Sequence, residues 1–265
     1  MPSKGPAVGL FRPSRDDQLS ALEAIQTGDT QRLRRLITHD KRLLRSKVVE
    51  GNTLLFYAAI FGAHDIVKFL LDSGADPRAE NDDQISIMCA AATADRLDVI
   101  RLLVEHGVSV NSPEGKPSPL GLSVTRGRAR TAEALLELGA YVDSRTTNRR
   151  NTPLFSAPDT ATAEVLIRFG ADVNTRNVEG SVPLHGAALF GNAALVELLL
   201  RHGANPLARD AMDFTPLDSA RRGSEMRGNP EMVTFFLQAM PTANIVGDWA
   251  STEGLIEAAV ARLDS

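Results

Sequence analysis

Chemistry at neutral pH draws on histidine, cysteine, paired carboxylates or clustered arginines, and this chain offers each in a limited pattern. The histidines are His39, His64, His106, His185 and His202, and none has a cysteine or a second histidine at ligand spacing. His106 and His202 each precede a glycine that closes an apolar-periodic run, Gly107 and Gly203. A donor there suits a helix C-terminus, so capping accounts for both better than metal binding does. Cys89, the single cysteine, falls on the inward side of an apolar run, where a buried, inert thiol is expected rather than a nucleophile. Glu80, Asp82 and Asp83 form an acidic cluster able to attract a cation, although a solvated loop tip is the simpler reading. Arginines gather at Arg126, Arg128, Arg130, Arg145, Arg149, Arg150 and Arg176, and their planar forks suit carboxylate or phosphate. There is no phosphate loop, dinucleotide fingerprint, HExxH, GxSxG or EF-hand loop. The expectation is no catalytic residue, no metal and no cofactor.

The elements that carry these residues follow from composition and then from periodicity. The 265 residues include 29 basic and 33 acidic ones, for a net charge of −4. That balance gives no basic field for nucleic acid or a membrane surface. One cysteine excludes an intrachain disulfide framework and fits a reducing compartment. No opening run reads as a secretory leader, and no run is long enough to cross a bilayer. The expected setting is cytoplasmic; the nucleus or, for a bacterial protein, a host cell is compatible with the same composition.

The stretch Glu179–Asp210 sets the pattern. Pro183 can open a helix, and Leu184, Ala187 and Ala188 form one apolar stripe before Gly191 and Asn192 break it. Leu195, Val196, Leu198 and Leu199 mark a second helix, closed by Gly203. The closing glycine recurs at Gly74, Gly107, Gly139, Gly170 and Gly203, in steps of 33, 32, 31 and 33 residues. The helix start recurs with it, as Thr53-Leu54-Leu55, Ser86-Ile87-Met88, Ser118-Pro119-Leu120, Thr152-Pro153-Leu154, Val182-Pro183-Leu184 and Thr215-Pro216-Leu217. A period near 33 with a T-P-L-H-x-A start resembles the ankyrin repeat, and the resemblance runs from about Gln18 to Gln238. It implies an all-α solenoid of about six to seven antiparallel helix pairs, with short β-hairpin fingers between them and caps at both ends. The chain then divides into a flexible N-terminal tail over 1–15 and a capping repeat over 16–47. Repeats follow over 48–81, 82–112, 113–143, 144–175, 176–208 and 209–238, and a linker with a capping helix over 239–265. Leu10-Phe11 of the tail is expected to dock on the first repeat, and Trp249 to anchor a last helix with Leu255, Ile256, Ala259, Val260 and Leu263 on one side.

Departures from the pattern locate weak joints. Asp95 stands where a turn glycine is usual. Ser123-Val124 replaces two alanines. The repeat ending at Gly170 lacks about three residues near Pro158, so its first helix should be shortened. The last repeat carries about four extra residues over Ser224–Gly228, between its helices. The motif histidine of the resemblance, which hydrogen-bonds between repeats, survives only as His185. Helix caps are expected from Thr53, Ser86, Ser118, Thr152 and Thr215, and one is lost at Val182.

The resemblance implies a cupped stack whose fingers and inner helices make a concave face for a protein partner. On that face the candidate contacts are Ile60, Phe61, Leu189, Phe190 and Phe214 as apolar anchors, with Glu80, Asp82 and Asp83 at an acidic end. Arg126, Arg145, Arg149, Arg150 and Arg176 form a basic centre. Packing between repeats is the plainer explanation of Phe61 and Phe190, and scattered surface charge that of the arginines. The expected function is a non-catalytic protein-interaction scaffold, monomeric on its own, acting as an adaptor, inhibitor or effector. The alternative is an enzyme or small-anion binder using a pocket at the irregular repeat near Arg149–Pro158. Nucleic-acid binding through the arginines is disfavoured by the net negative charge.

Overall fold

The computed structural model describes residues 13–61, 64–146, 149–227 and 247–263. Most of the expected tail, its Leu10-Phe11 pair, the second helix of the last repeat and the linker before Gly247 lie outside the described residues. The chain forms two compact units, Met1–Val108 and Ser109–Ser265.

In the first unit, α1 (Arg15–Thr27) and α2 (Thr30–His39) lead into a single 3-10 turn over Lys41–Arg45; then come α3 (Leu54–Phe61), α4 (His64–Asp72), α5 (Ile87–Thr93) and α6 (Leu97–Glu105). The cap of α1 is Ser14, whose Oγ accepts from the Asp17 amide at 3.0 Å, while Asp16 and Asp17 occupy the first turn. The two aspartates act there on the helix dipole, while the serine supplies the cap. Leu33 and Ile37 bury on the inward side of α2, against Ala21, Ala24 and Ile25 of α1.

The second unit holds α7 (Pro119–Thr125), α8 (Ala129–Glu137), a 3-10 turn over Leu154–Ser156, α9 (Thr160–Arg168), α10 (Pro183–Leu189), α11 (Ala193–Arg201), α12 (Pro216–Arg227) and α13 (Trp249–Ala261). Helices of seven to nine residues are marginal alone, so their stability comes from the layers on either side. Leu120, Leu135, Leu154, Leu166, Leu184 and Leu199 are almost wholly buried and run through these layers as a continuous core. Ser123 takes an alanine position without cost because its buried hydroxyl donates to the Leu120 carbonyl at 2.8 Å.

Three sequence expectations need correction. The extra residues of the last repeat do not form a loop as far as Arg227; they lengthen α12 to 12 residues. Leu263 is 60 % exposed, because the last helix ends at Ala261 and only Trp249, Thr252 and Ile256 are buried along it. Among the described residues the fingers carry isolated antiparallel bridges, Lys47 with Thr53 and Glu80 with Ser86, rather than strands. Their tips are set by the backbone instead. The turn residue is left-handed at Gly51, Gln84, Gly115, Arg150, Gly180 and Asp213, so half of these positions hold a side chain where glycine is easier.

Candidate protein-interaction surface

The fingers of the second unit are tied together by two side-chain ladders. In the first, an asparagine bridges one finger to the next. Asn111 donates to the Gly139 carbonyl at 2.9 Å and accepts from the Tyr141 amide at 2.8 Å. Asn174 repeats this with the Gly203 carbonyl at 3.0 Å and the Asn205 amide at 2.8 Å. Asp143 holds the equivalent place in the finger between them. It accepts from the Asp172 amide at 3.4 Å, but its Oδ1 is buried without a partner. Burial pushes its carboxyl above the usual range, against the lowering effect of the Asp172 amide and Arg145.

The second ladder is made of arginines. Arg145 Nη1 donates to the Arg176 carbonyl at 2.9 Å and to the Arg150 carbonyl at 3.3 Å. Arg176 Nη1 donates to the carbonyls of Arg209 and Gly180. Arg209 Nη1 donates to Asp213, at 2.8 Å to the carboxylate and 3.1 Å to the carbonyl. Arg209 was not singled out from sequence, although its place 33 residues after Arg176 carried the signal.

The remaining candidates fall in different settings. Arg149 lies 3.7 Å from Glu179 with both side chains about half exposed, and Arg126 and Arg150 are exposed. In the first unit, Asp82 is drawn into an ion pair with Lys47 at 2.8 Å, so the acidic cluster is partly neutralised; Asp83 stays exposed. Gly51 permits that approach, since a Cβ there would fall on the Asp82 carboxylate. Phe61 is 46 % exposed and stacks on Tyr57 with ring centroids 6.2 Å apart. Ile60 is half-buried, and the carbonyls of Ile60 and Phe61 each accept from the Arg96 guanidinium at 3.1 Å.

Leu189 and Phe190 are placed otherwise than as open anchors. Both are half-buried, and the chain before α13 runs over them: Trp249 Nε1 donates to the Leu189 carbonyl at 3.1 Å and the Gly247 amide to the Phe190 carbonyl at 3.3 Å. Phe214 is also half-buried, with the Arg222 guanidinium 4.7 Å from its ring centre.

The irregular repeat opens a cleft. Its first helix is reduced to the turn over Leu154–Ser156, and a space of about 160 Å³ lies beside it, lined by Pro117, Leu122, Ser144, Arg145, Thr152 and Ser156 among others. Arg145 is its one ionisable side chain among the described residues. Thr152 was expected to cap the helix here. With so short a turn its Oγ1 caps nothing and is buried without a partner, whereas Thr53, Ser86, Ser118 and Thr215 each accept from the amide three residues on. Val182, with no side-chain oxygen, is served by His185: the Val182 amide donates to Nδ1 at 3.2 Å, and Nε2 faces the Phe214 carbonyl at 3.0 Å. The ring is therefore neutral with its proton on Nε2, and burial pushes it below the usual imidazole range.

Cys89 is buried on α5. Among the described residues no group of histidines, cysteines and carboxylates is arranged to hold a metal ion, and no helix is long and apolar enough to cross a membrane.

Comparison with known proteins agrees with this architecture. The solved ankyrin repeat domain of human ASB11 superposes with a TM-score of 0.69 at 25 % identity, over 76 % of this chain and 90 % of that one. A rice protein named "Probable E3 ubiquitin-protein ligase XBOS32" is 31 % identical over 202 residues, 74 % of this chain and 40 % of its own length. Human ankyrin repeat and SOCS box protein 16 is 29 % identical over 200 residues, 71 % of this chain and 44 % of its own. The chain thus spans less than half the length of these two relatives. A family model described as ankyrin repeats in three copies matches residues 14–81 and 154–246. With the helix pairs, the left-handed finger turns and the His185 bridge, these matches lead to one conclusion: the chain belongs to the ankyrin-repeat family.

Proposed function

We infer that this chain is a non-catalytic scaffold that binds a protein partner through the finger side of its repeats. Ankyrin repeat domains generally mediate protein–protein interactions. The observation that carries the reading to this chain is the chemistry of the cleft. It holds one arginine and a set of hydroxyls, with no carboxylate, histidine or cysteine to act as acid, base or nucleophile. The displaced titrations lie elsewhere and have structural causes. His185 bridges two fingers, Asp218 is held low by hydrogen bonds from Thr215, Asp40 is held low by its hydrogen bond with Arg42, and Asp143 occupies the asparagine ladder. Among the exposed side chains of the described residues are Phe61, stacked on Tyr57, in one unit and the finger arginines in the other. Aromatics and arginines are the residues that dominate binding energy at protein interfaces.

The reading is tested by affinity capture from lysate of the source cell with the parent chain, Arg149→Glu/Arg150→Glu and Phe61→Ala, each checked for helix content. A partner captured by the parent and lost from a folded variant supports it. Capture unchanged in both variants counts against these surfaces.

The cleft itself favours one second reading. Arg145 beside Ser144, Thr152 and Ser156 would suit a small anion. Titration calorimetry with inorganic phosphate and citrate addresses it, and no heat with either removes it.

A further inference from the structure

We propose that Arg145, Arg176 and Arg209 form a row of pre-set guanidinium forks that receives an extended acidic segment of a partner protein, with a carboxylate at every third residue. The proposal rests on the protein-binding reading above and names the chemistry of the segment that surface takes.

The three arginines share one finger position, 31 and 33 residues apart. Each commits only Nη1. One of its hydrogens goes to a carbonyl in the turn of its own finger, at Arg150, Gly180 or Asp213. The other goes to the carbonyl of the next arginine for Arg145 and Arg176, and to the Asp213 carboxylate for Arg209. Among the described residues Nε and Nη2 of all three make no hydrogen bond, and all three side chains are exposed. That uncommitted edge is the one that takes a carboxylate with two parallel bonds. Holding a long side chain still normally costs a ligand much of its binding energy. Here the carbonyls have already fixed the guanidinium planes.

The spacing selects the conformation of the segment. Packed helix layers lie about 8–10 Å apart, so the forks recur at about that interval. A β-strand presents side chains of one face roughly every 6.7 Å and falls out of step after one layer. A polyproline II segment has three residues per turn and a rise of about 3.1 Å, which returns the same face every ~9.3 Å.

The carboxylates interspersed along these fingers select the class of anion. Asp143, Asp172, Glu179, Asp210 and Asp213 alternate with the arginines in the chain. A nucleic-acid strand carries a charge at every ~3.4 Å of its axis and would set phosphates against them. A peptide with two neutral residues between its acids avoids that repulsion.

The test uses the full chain and two fluorescein-labelled 15-residue peptides of identical composition, read by fluorescence anisotropy. One has glutamate at every third position among proline and alanine, and the other has its glutamates in one block. The parent chain is expected to bind the periodic peptide about tenfold more tightly than the block isomer. The exchange Arg145→Lys/Arg176→Lys, which keeps the charges and removes the forks, is expected to abolish that preference. Equal binding of the two peptides by the parent chain overturns the proposal, and this comparison depends on no variant. Retention of the preference by the folded lysine variant also overturns it, as does tighter binding of a 15-nucleotide oligouridylate than of the periodic peptide. A cellular partner captured equally by the parent and the lysine variant overturns the acidic-segment assignment while leaving the protein-binding reading standing.

Discussion

The Arg145 guanidinium donates to the backbone carbonyl of Arg176 at 2.9 Å, so a side chain of one finger is satisfied by the main chain of the next. Arg176 repeats the contact onto Arg209. The arginines are therefore structural links as well as surface charges. Arg176→Ala removes its links to two carbonyls and frees the finger of Arg209. A loss of about 1 kcal/mol in the stability of the second unit is expected, measured by urea denaturation. Arg150→Ala, which removes an exposed side chain with no such bond, serves as the control and should lose markedly less.

Asp143 breaks the asparagine ladder. Asn111 and Asn174 both accept and donate, but an ionised carboxylate only accepts, and Oδ1 of Asp143 is left buried and unpaired. Asp143→Asn is expected to stabilise the unit at neutral pH by roughly 1 kcal/mol. The sign with pH follows from its raised pKa. The folded state holds the proton in a window where the unfolded chain has released it, so stability falls as pH rises from the ordinary carboxylate value through the raised one. The advantage of the asparagine should therefore shrink on acidification. Thermal melts of both chains from pH 7 down to pH 4 check this, and a pH-independent gap would count against it.

Thr152 keeps a hydroxyl that the shortened helix no longer uses. Thr152→Val keeps the shape and removes an unsatisfied buried oxygen. The melting midpoint is expected to rise, by the equivalent of about 1 kcal/mol. The same exchange at Thr53, whose Oγ1 accepts from the Phe56 amide at 3.2 Å, should lower it.

Gly223 lies inside α12, where a Cβ would come within 2.1 Å of the Leu189 carbonyl and 2.3 Å of Trp249 Nε1. Alanine normally favours a helix, by up to about 1 kcal/mol over glycine. Gly223→Ala is nevertheless expected to destabilise the second unit by about 2 kcal/mol or more, because the obstructing atoms include backbone. Tryptophan fluorescence, which reads the single indole directly, should shift toward that of a solvated ring.

Local chemistry made much of the fold legible. The closing glycines, the Thr-Pro-Leu starts and the apolar stripes mark the helices because each reports on a few neighbouring residues. The three missing residues near Pro158 foretold the reduced helix before Asp159 by counting alone. What remained hidden depends on contacts between repeats. Thr152 looks like any other cap until the turn beneath it proves too short to offer an amide. Phe190 could be read as an open anchor or as packing between repeats; its cover comes from Gly247–Trp249, and nothing near position 190 announces it. Arg145, Arg149, Arg150 and Arg176 were visible as a cluster. The pairing of Arg145 and Arg176 with carbonyls instead of carboxylates was not, and neither was the membership of Arg209. The pairing of Asp82 with Lys47 likewise joins residues 35 apart.

The reduced turn over Leu154–Ser156 also bears on how the second unit comes apart. In a stack held by nearest neighbours, cooperativity passes from layer to layer through the area each pair shares. A layer with one helical turn where its neighbours have two shares less and transmits less. Thermal opening should divide the unit there, leaving α10, α11, α12 and α13 as a core that outlives the α7–α8 pair. Amide protection would then step upward across Asp159 instead of grading smoothly along the chain. The residues at that seam include Arg145 and Thr152, so the lining of the cleft would be among the first parts of the second unit to exchange.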